Sequence, residues 1–122
     1  MSKKLKSIEN YLIEKYFNLL DQHINEVING EVEEFYEINQ IASKLNISHS
    51  HFSEVVKQIT GKHPCYFYDL KIIDQAKILL QDKNLSIAKV AQMLTYDASN
   101  FSKFFKKFVG VTPGAYRKSL NI

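Results

Sequence analysis

Two short polar stretches of the sequence, about fifty residues apart, carry side chains that can hydrogen-bond to the edges of DNA bases. In the first stretch the outward helical positions are His49, Ser50, Ser53 and Glu54. In the second they are Ala98, Ser99, Asn100, Ser102 and Lys103. Asparagine can pair bidentately with adenine, serine serves several bases, glutamate accepts from cytosine, and lysine reaches guanine or a phosphate. Both stretches are therefore candidates for base recognition.

Other residues of the same regions could contact phosphates, which set affinity and register but carry no sequence information directly. Lysine and arginine supply charge for such contacts, and the first residues of a helix supply backbone N–H groups. The candidates of these two kinds are Lys57, Lys62, Ser86, Lys106, Lys107, Thr112 and Arg117.

The distribution of charge indicates which half of the chain would meet a polyanion. The net charge is +3 over 122 residues. Residues 1–61 carry six lysines against nine acidic side chains, a net of −3, and residues 62–122 carry ten basic side chains against four aspartates, a net of +6. No acidic residue follows Asp97. We therefore expect the C-terminal half to supply most of the attraction to DNA.

The elements that must position these side chains form a repeat, in which a short amphipathic helix and a turn precede a longer helix that ends at a glycine. The first helix reads Ile38-x-x-Ile41-Ala42-x-x-Leu45 in one copy and Ile87-x-x-Val90-Ala91-x-x-Leu94 in the other. The longer helix reads Phe52-x-x-Val55-Val56-Lys57-x-x-x-Gly61 in the first copy and Phe101-x-x-Phe104-Phe105-Lys106-x-x-x-Gly110 in the second. We call residues 38–61 the first unit and residues 87–110 the second unit.

An amphipathic stretch precedes the repeat. Its apolar residues recur every three or four positions over residues 5–27, which predicts one helix, or two in series with a break at Asn18 or Asp21. Gly30 ends the pattern, as expected of a residue just past a helix C-terminus. The acidic stretch 31–37 then reads as a connection.

Two more helices are predicted around the second unit. Pro64 lies in the first turn of a helix that runs from 65 to about 82, and Thr112 with Pro113 is a strong signal for the start of a last short helix. The expected inner face of the helix between the units is Phe67, Leu70, Ile73, Ala76, Leu79 and Leu80.

Paired short helices of this kind are typical of helix-turn-helix DNA-binding units. Ala42 and Ala91 let the two helices of each unit approach closely. The second helix would lie in the major groove with its N-terminal residues at base edges. At about 1.5 Å per residue the helix between the units spans roughly 27 Å, close to the ~34 Å of one duplex turn. The two units could thus enter successive groove segments, and a rigid linker would bend the duplex.

Composition favours helices and an intracellular location. Hydrophobic residues make up 45%, with only 4 Gly and 2 Pro, so a core can form and a many-stranded β fold is disfavoured. We predict an all-α protein with residues 1–19 as a helical extension, 20–64 and 83–122 as helix-turn-helix (homeodomain-like) subdomains, and 65–82 as a rigid linker helix. Cys65 is the single cysteine and no long apolar run occurs, so we expect a cytoplasmic protein without membrane contact.

These residues resemble the DNA-binding domain of the AraC/XylS family over about residues 20–118. The most specific part is Ser86-Ile87-x-x-Val90-Ala91, then Ser99-x-Phe101-Ser102-x-x-Phe105-Lys106-Lys107-x-x-Gly110-x-Thr112-Pro113-x-x-Tyr116-Arg117. The first unit and the linker add Ile41-Ala42-x-x-Leu45-x-Ile47-Ser48-x-x-x-Phe52, Lys57, Thr60-Gly61 and Gln75-Ala76-Lys77-x-Leu79-Leu80.

The resemblance implies a seven-helix transcription factor, expected to be an activator, with no cofactor and no catalysis. Its implied partners are double-stranded DNA and RNA polymerase. The implied location is the nucleoid of a prokaryote. The chain is expected to bind DNA as a monomer, with a dimer through the N-terminal helix as an alternative. A chain of this length has no room for an effector-sensing domain, so it is similar to short stand-alone members or to an excised domain, and its Met1-Ser2 start favours the former. By position, the implied base contacts are Ser50, Ser53, Glu54, Ser99, Asn100, Ser102 and Lys103.

Three features depart from the family pattern. Ile72 stands where an arginine is usual, with Lys71 beside it, so a structural or phosphate contact is lost or moved. Residues 95–96 read Thr-Tyr in place of Gly-Phe, in a turn one residue shorter than usual, and the angle of the second unit depends on how that turn closes. Glu54 stands where a basic or amide side chain is common; it repels phosphate, which predicts that the first unit is the weaker or more selective binder.

Other classes of function are also open to the sequence. A metal site would use His49, His51, His63 and Cys65, although side chains two apart on a helix point about 200° apart. Cys65 could be a nucleophile at a helix N-terminus, in a DNA-repair accessory protein that carries a related helical module, but a lone cysteine is more often a small buried filler.

A protein-interaction module is the remaining alternative. The N-terminal amphipathic stretch leaves Tyr11, Ile13 and Phe17 over from its main apolar face, and these could form a partner-binding surface. The simpler interpretation, which we prefer, is a first core helix with an extension. Enzyme motifs such as a Gly-rich phosphate loop or His-Glu-x-x-His are absent from the sequence.

Overall fold

Seven helices and no strand occur in residues 3–120, the part of the chain that the computed structural model describes, with side chains from residue 8 onward. They are α1 (Lys3–Ile28), α2 (Ile38–Lys44), α3 (His49–Thr60), α4 (Pro64–Leu80), α5 (Ile87–Met93), α6 (Ala98–Val109) and α7 (Pro113–Ser119). The predicted all-α class is confirmed, and so is the predicted order of a short and a longer helix in each unit.

Helix α1 is one continuous helix that passes Asn18 and Asp21 without a break. Its inner stripe includes Tyr16, Leu20 and Ile24, each 1% exposed or less, and it packs on α3 and α4. The core therefore reaches back into the segment expected to be an extension, because Tyr16 lies within it. The stripe is regular because these residues are spaced four apart, which keeps them on one helix face.

Two of the three residues expected to be left over on α1 are packed. Ile13 is buried in the core, and the rings of Phe17 and Phe67 lie 5.2 Å apart. Tyr11 alone of the three is exposed, at 61%. The expected apolar surface is therefore smaller than the sequence indicates, because Ile13 belongs to the core and Phe17 packs against it.

The acidic connection between α1 and α2 is held to the core by a buried histidine. His23 is 1% exposed, and its ring stacks on Tyr36 at 4.1 Å between centroids. Its Nε2 accepts a hydrogen bond from the Tyr36 N–H at 2.9 Å, and the Tyr68 hydroxyl donates to the Tyr36 carbonyl at 2.8 Å. Burial lowers the pKa of His23, with Lys44 acting in the same direction. The neutral ring is thus the form that the fold accommodates.

Helix α4 lies at the centre of the fold and packs on α1, α3, α5 and α6. Its buried residues are Pro64, Tyr68, Ile72, Ile73, Ala76 and Leu80. Of the expected inner face, Ile73, Ala76 and Leu80 are buried, and Phe67 and Leu79 pack half-buried against the core. The expectation missed the buried Tyr68 and Ile72, and Leu70 is only half-buried. The reason is that helices cover α4 on two sides. Its buried residues therefore form a wider band than a single apolar stripe, and the band lies at a different angle around the helix.

The position where the family usually has arginine belongs to this buried band. Ile72 is 3% exposed. The neighbouring Lys71 donates to Asp21 at 2.7 Å and lies 5.3 Å from the centre of the Phe17 ring. The ion pair therefore joins α4 to α1, so the basic side chain beside Ile72 makes a structural contact in this protein.

Candidate DNA-binding surface

The first unit joins α2 to α3 through a short turn with defined backbone geometry. Asn46 adopts the left-handed conformation, with φ 58°, and the Ile47 N–H donates to the Ala42 carbonyl at 3.1 Å. This hydrogen bond belongs to the Schellman motif that ends many helices. Ser48 then begins α3, because its Oγ accepts from the His51 N–H at 3.3 Å. Ser48 is therefore the N-cap of α3.

The second unit repeats this turn 49 positions later. Thr95 adopts the left-handed conformation, with φ 63°, and the Tyr96 N–H donates to the Ala91 carbonyl at 2.9 Å. Asp97 begins α6, because its Oδ1 accepts from the Asn100 N–H at 2.7 Å. The turn that is short by the family pattern is thus equal in length to the turn of the first unit and is closed by the same backbone hydrogen bond.

Thr95 is the strained residue of the two turns. Asparagine enters the left-handed region easily, whereas a β-branched residue there is a steric outlier. Thr95 occupies the position where the family pattern has glycine, which adopts φ 63° without a Cβ clash. The second unit therefore retains the turn at a conformational cost of about 1–2 kcal/mol.

Each unit buries one face of its longer helix and leaves the other face open. Helix α3 buries Phe52, Val55 and Val56, and α6 buries Phe101 and Phe105. These residues recur at helical spacing, so the remaining polar positions point away from the core. The outward faces of α3 and α6 are therefore the surfaces that the predicted base contacts occupy.

Most of the predicted base and phosphate candidates on these faces are exposed. On α3 they are His49, Ser50, Glu54 and Lys57, and on α6 they are Ala98, Ser99, Asn100, Lys103, Lys106 and Lys107. Ser53 and Ser102 are half-buried. The Ser53 Oγ is shielded from solvent and has no hydrogen-bond partner, so a base contact by this hydroxyl would need Oγ to rotate outward.

Asn100 is a predicted base contact on α6 whose side chain is held by a hydrogen bond to a neighbouring residue. Its Nδ2 donates to Asp97 Oδ2 at 2.7 Å, while its backbone N–H donates to Asp97 Oδ1 at 2.7 Å. Both oxygens of the Asp97 carboxylate are thus engaged with one residue. A carboxylate beside a DNA surface repels phosphates, and here part of its charge is offset by two donors and by the helix N-terminus.

Arg117, a predicted phosphate candidate, is engaged inside the protein. Its Nε donates to the Leu80 carbonyl at 2.9 Å and its Nη2 donates to the Asp82 carbonyl at 3.2 Å. Leu80 is the last residue of α4 and Asp82 lies two residues beyond it, so the guanidinium is close to the C-terminal end of the helix, where the helix dipole also favours a cation. Lys77 lies 6.0 Å from the Tyr116 ring on the same helix pair. Arg117 therefore fastens α7 to the end of α4, a role that the sequence alone did not indicate.

The remaining phosphate candidates fall into two groups. The hydroxyls of Ser86 and Thr112 are N-caps, which accept from the N–H of Lys89 at 3.0 Å and of Ala115 at 3.2 Å. Ser86 is thus the N-cap of α5 and Thr112 the N-cap of α7, which confirms the helix start predicted at Thr112. Lys62 is exposed, with its Nζ 5.2 Å from the centre of the Tyr66 ring. These residues stay candidates for phosphate contact.

The alternative sites gain little support from the residues that the structure describes. Among the side chains of residues 8–120, no three histidine, cysteine or acidic groups are placed so as to hold a metal ion. Cys65 is exposed, and desolvation, with Asp69 nearby, raises the pKa of its thiol, which disfavours the nucleophilic thiolate. No helix in this part of the chain is long and apolar enough to span a membrane.

The sequence of this chain is similar to those of known regulatory proteins. A family model described as a helix-turn-helix domain matches residues 41–119. The MmsAB operon regulatory protein of Pseudomonas aeruginosa is 40% identical over 84 residues, which cover 67% of this chain and 27% of that protein. The raffinose operon transcriptional regulatory protein RafR of Pediococcus pentosaceus is 33% identical over 86 residues, which cover 70% of this chain and 31% of that protein. The chain thus spans about a third or less of these two relatives.

Solved structures show the same fold. The C-terminal domain of AraT, a response regulator from Geobacillus stearothermophilus, superposes with a TM-score of 0.75 at 24% identity, over 88% of this chain and 84% of that one. The DNA-binding domain of AdpA in complex with a target DNA gives a TM-score of 0.65 at 21% identity, over 81% and 93%. With two helix-turn-helix units and a family match across both, this chain belongs to the AraC-type family of DNA-binding transcriptional regulators.

Proposed function

We propose that the chain is a sequence-specific transcriptional activator that inserts α3 and α6 into successive major-groove segments on one side of a DNA duplex. The observation that carries the proposal is the pair of matching units. Each presents an exposed polar face on its longer helix, and both pack on the single helix α4. A recognition helix needs such a face at the base edges and an apolar face behind it.

The length of α4 determines how the duplex must adapt. Its 17 residues span about 26 Å at about 1.5 Å per residue. Successive major-groove segments on one side of straight B-DNA are ~34 Å apart. A duplex bent toward the protein brings these segments closer together, so we expect sites with flexible pyrimidine–purine steps between the two contacted segments.

The two units contribute differently to binding, the second mainly to affinity and the first mainly to base selection. In the second unit Lys103, Lys106 and Lys107 are exposed along α6, which suits phosphate contact and affinity. In the first unit the exposed Glu54 repels phosphate but can accept a hydrogen bond from cytosine N4. Arg117 contributes by holding α7 against α4, since its guanidinium is engaged with backbone carbonyls.

Selection of binding sites from a random duplex library, at two salt concentrations, tests this proposal. We expect a bipartite site whose halves are about one helical turn apart, and an affinity that falls steeply with salt, by a log–log slope of about −0.9 per phosphate contact. Enrichment of no sequence, or of a single half-site whose affinity is independent of the second unit, would contradict it.

The selective role of the first unit has its own test. Glu54→Ala should strengthen binding to non-cognate duplex and relax the base preference at one position of the site. Glu14→Ala is the matched control, because it removes the same charge from an exposed position on α1. If both variants behave alike, or if Glu54→Ala changes nothing, Glu54 has no part in selection.

A role in transcriptional regulation is supported by the names of the relatives, which include two operon regulatory proteins. We expect the chain to act in the cytoplasm as a monomer on its site, with RNA polymerase as its protein partner. Transcription in vitro from a promoter with the selected site upstream should rise when the protein is added. A fall in transcription would make it a repressor, and two copies per site in sedimentation analysis would replace the monomer with a dimer.

A further inference from the structure

We infer that Asp97 is a positioning residue for base recognition, which holds the Asn100 amide so that the second unit selects adenine. This inference rests on the proposed insertion of α6 into the major groove. Asp97 fixes the orientation of the Asn100 amide, this orientation leaves the groups free that match adenine, and the equivalent cap of the first unit, Ser48, has no second acceptor oxygen.

The orientation of the Asn100 amide is determined by its partner. An ionised carboxylate only accepts hydrogen bonds, so the end of the amide that faces Asp97 must be the NH₂ group. The structure has this arrangement, with Nδ2 2.7 Å from Asp97 Oδ2. Because Asp97 Oδ1 accepts from the Asn100 N–H at 2.7 Å, the carboxylate itself is held in place. The two hydrogen bonds together restrict the side-chain torsions of Asn100.

The free groups of Asn100 match the edge of adenine. With one Nδ2 hydrogen engaged, the exposed side chain retains one donor, the second Nδ2 hydrogen, and one acceptor, Oδ1. Adenine displays an acceptor at N7 and a donor at N6 in the major groove, whereas guanine displays two acceptors. An asparagine held in this orientation therefore favours adenine, and it does so before DNA arrives, which spares part of the ordering cost.

The first unit lacks the same arrangement. Its cap is Ser48, which has one side-chain oxygen, and that oxygen accepts from the His51 N–H at 3.3 Å. Serine and aspartate cap helices about equally well, so capping alone does not require a carboxylate at Asp97. A carboxylate near DNA also repels phosphates. What it adds is a second acceptor oxygen, and that oxygen holds the amide of Asn100.

The test uses the full chain and measures base preference at every position by selection from a random DNA duplex library. Asp97→Ser keeps the cap but removes the second oxygen. Asp97→Asn keeps the shape: its Oδ1 still accepts from the backbone N–H, so its NH₂ group faces Asn100 and should turn that amide over. Asn100→Ala removes the reading group. Asp74→Asn is the matched charge control, because Asp74 is exposed on α4.

We expect one adenine in the selected site to lose its preference, by about 5- to 150-fold, in Asn100→Ala. Asp97→Ser should weaken the same preference, and Asp97→Asn should shift it from adenine toward guanine, because the amide then presents two donors. Melting curves by circular dichroism should show α6 intact in both Asp97 variants. Asp74→Asn should leave every base preference unchanged.

Two results would overturn the inference while leaving the proposed function intact. In the first, Asp97→Ser and Asp97→Asn raise the affinity for all sequences equally and keep the adenine preference. This is the effect that the loss of a negative charge alone would have, and Asp74→Asn would then behave in the same way. In the second, Asn100→Ala changes no base preference. If the unmodified chain selects no sequence at all, the proposed function itself fails.

Discussion

Replacing Thr95 with glycine should stabilise the protein, although it removes a side chain. Thr95 has φ 63° in the turn between α5 and α6, a conformation in which the Cβ of an L-residue crowds the following carbonyl oxygen. Relief of this crowding is worth about 1–2 kcal/mol. Part of this gain is offset, by about 0.4–1 kcal/mol, because glycine makes the unfolded chain more flexible and so stabilises the unfolded state.

The net effect is a gain of about 0.5–1 kcal/mol in the free energy of unfolding. The side chain of Thr95 is exposed, so its loss removes little buried surface. For a chain of 122 residues, this gain corresponds to a rise of about 2–5 °C in Tm. Thermal and urea unfolding followed by circular dichroism measure both quantities.

Asn46→Gly is the matched control for this prediction. Asn46 occupies the same position in the turn between α2 and α3, with φ 58°, but asparagine enters this region with little strain. We expect Asn46→Gly to change the stability by less than Thr95→Gly does, with either sign. A Thr95→Gly variant that is no more stable than the unmodified chain, or that gains no more than Asn46→Gly, would refute the strain assigned to Thr95.

Three further predictions concern His23, Arg117 and Lys106. Burial lowers the pKa of His23, so as the pH falls this side chain takes up a proton in the unfolded chain before it does so in the folded protein. The free energy of unfolding should therefore decrease as the pH drops below about 6.5, by at most ~1.4 kcal/mol per pH unit from this group. His23→Gln should reduce that slope in urea titrations at several pH values, and an unchanged slope would contradict the assignment. Arg117→Ala loses two hydrogen bonds to the end of α4 and should lower the free energy of unfolding by about 1–2 kcal/mol, measured by urea unfolding; a stability equal to that of the unmodified chain would show the contacts to be dispensable. Lys106→Ala should weaken binding to all DNA sequences alike and reduce the log–log salt slope by about 0.9, measured by fluorescence anisotropy; a sequence-dependent loss would mean that Lys106 reads a base.

Local signals in the sequence were sufficient to predict several helix boundaries in the two units and the start of α7. Ser48, Ser86 and Thr112 cap the helices that follow them. Gly61 and Gly110 end α3 and α6 in the left-handed conformation. These signals act over a few residues, so they can be recognised in the sequence without knowledge of the tertiary packing.

Contacts between distant segments could not be predicted in the same way. Arg117 bonds to carbonyls 37 and 35 positions earlier in the chain, and His23 accepts from Tyr36, 13 positions later. Neither pairing leaves a periodic or spacing signal in a single sequence. The buried band of α4 was misjudged for the same reason, because helices on two sides, not one apolar stripe, determine which residues are covered.

The interaction of Asp97 with Asn100 lies between these two cases. An aspartate three residues before an asparagine, at the start of a helical pattern, is a recognisable N-cap signal. The cap itself was therefore accessible from sequence. The second hydrogen bond, from Asn100 Nδ2 to Asp97 Oδ2, depends on side-chain torsions that only the folded structure defines.

Hydroxyl-radical footprinting of the chain on its selected duplex tests the two-helix mode of binding most directly. If α3 and α6 enter neighbouring groove segments, backbone protection should appear in two patches on the same side of the duplex, about 10 base pairs apart. One continuous patch over a single groove segment, or two patches on opposite sides of the duplex, would contradict a geometry in which α4 holds both units against the same DNA face.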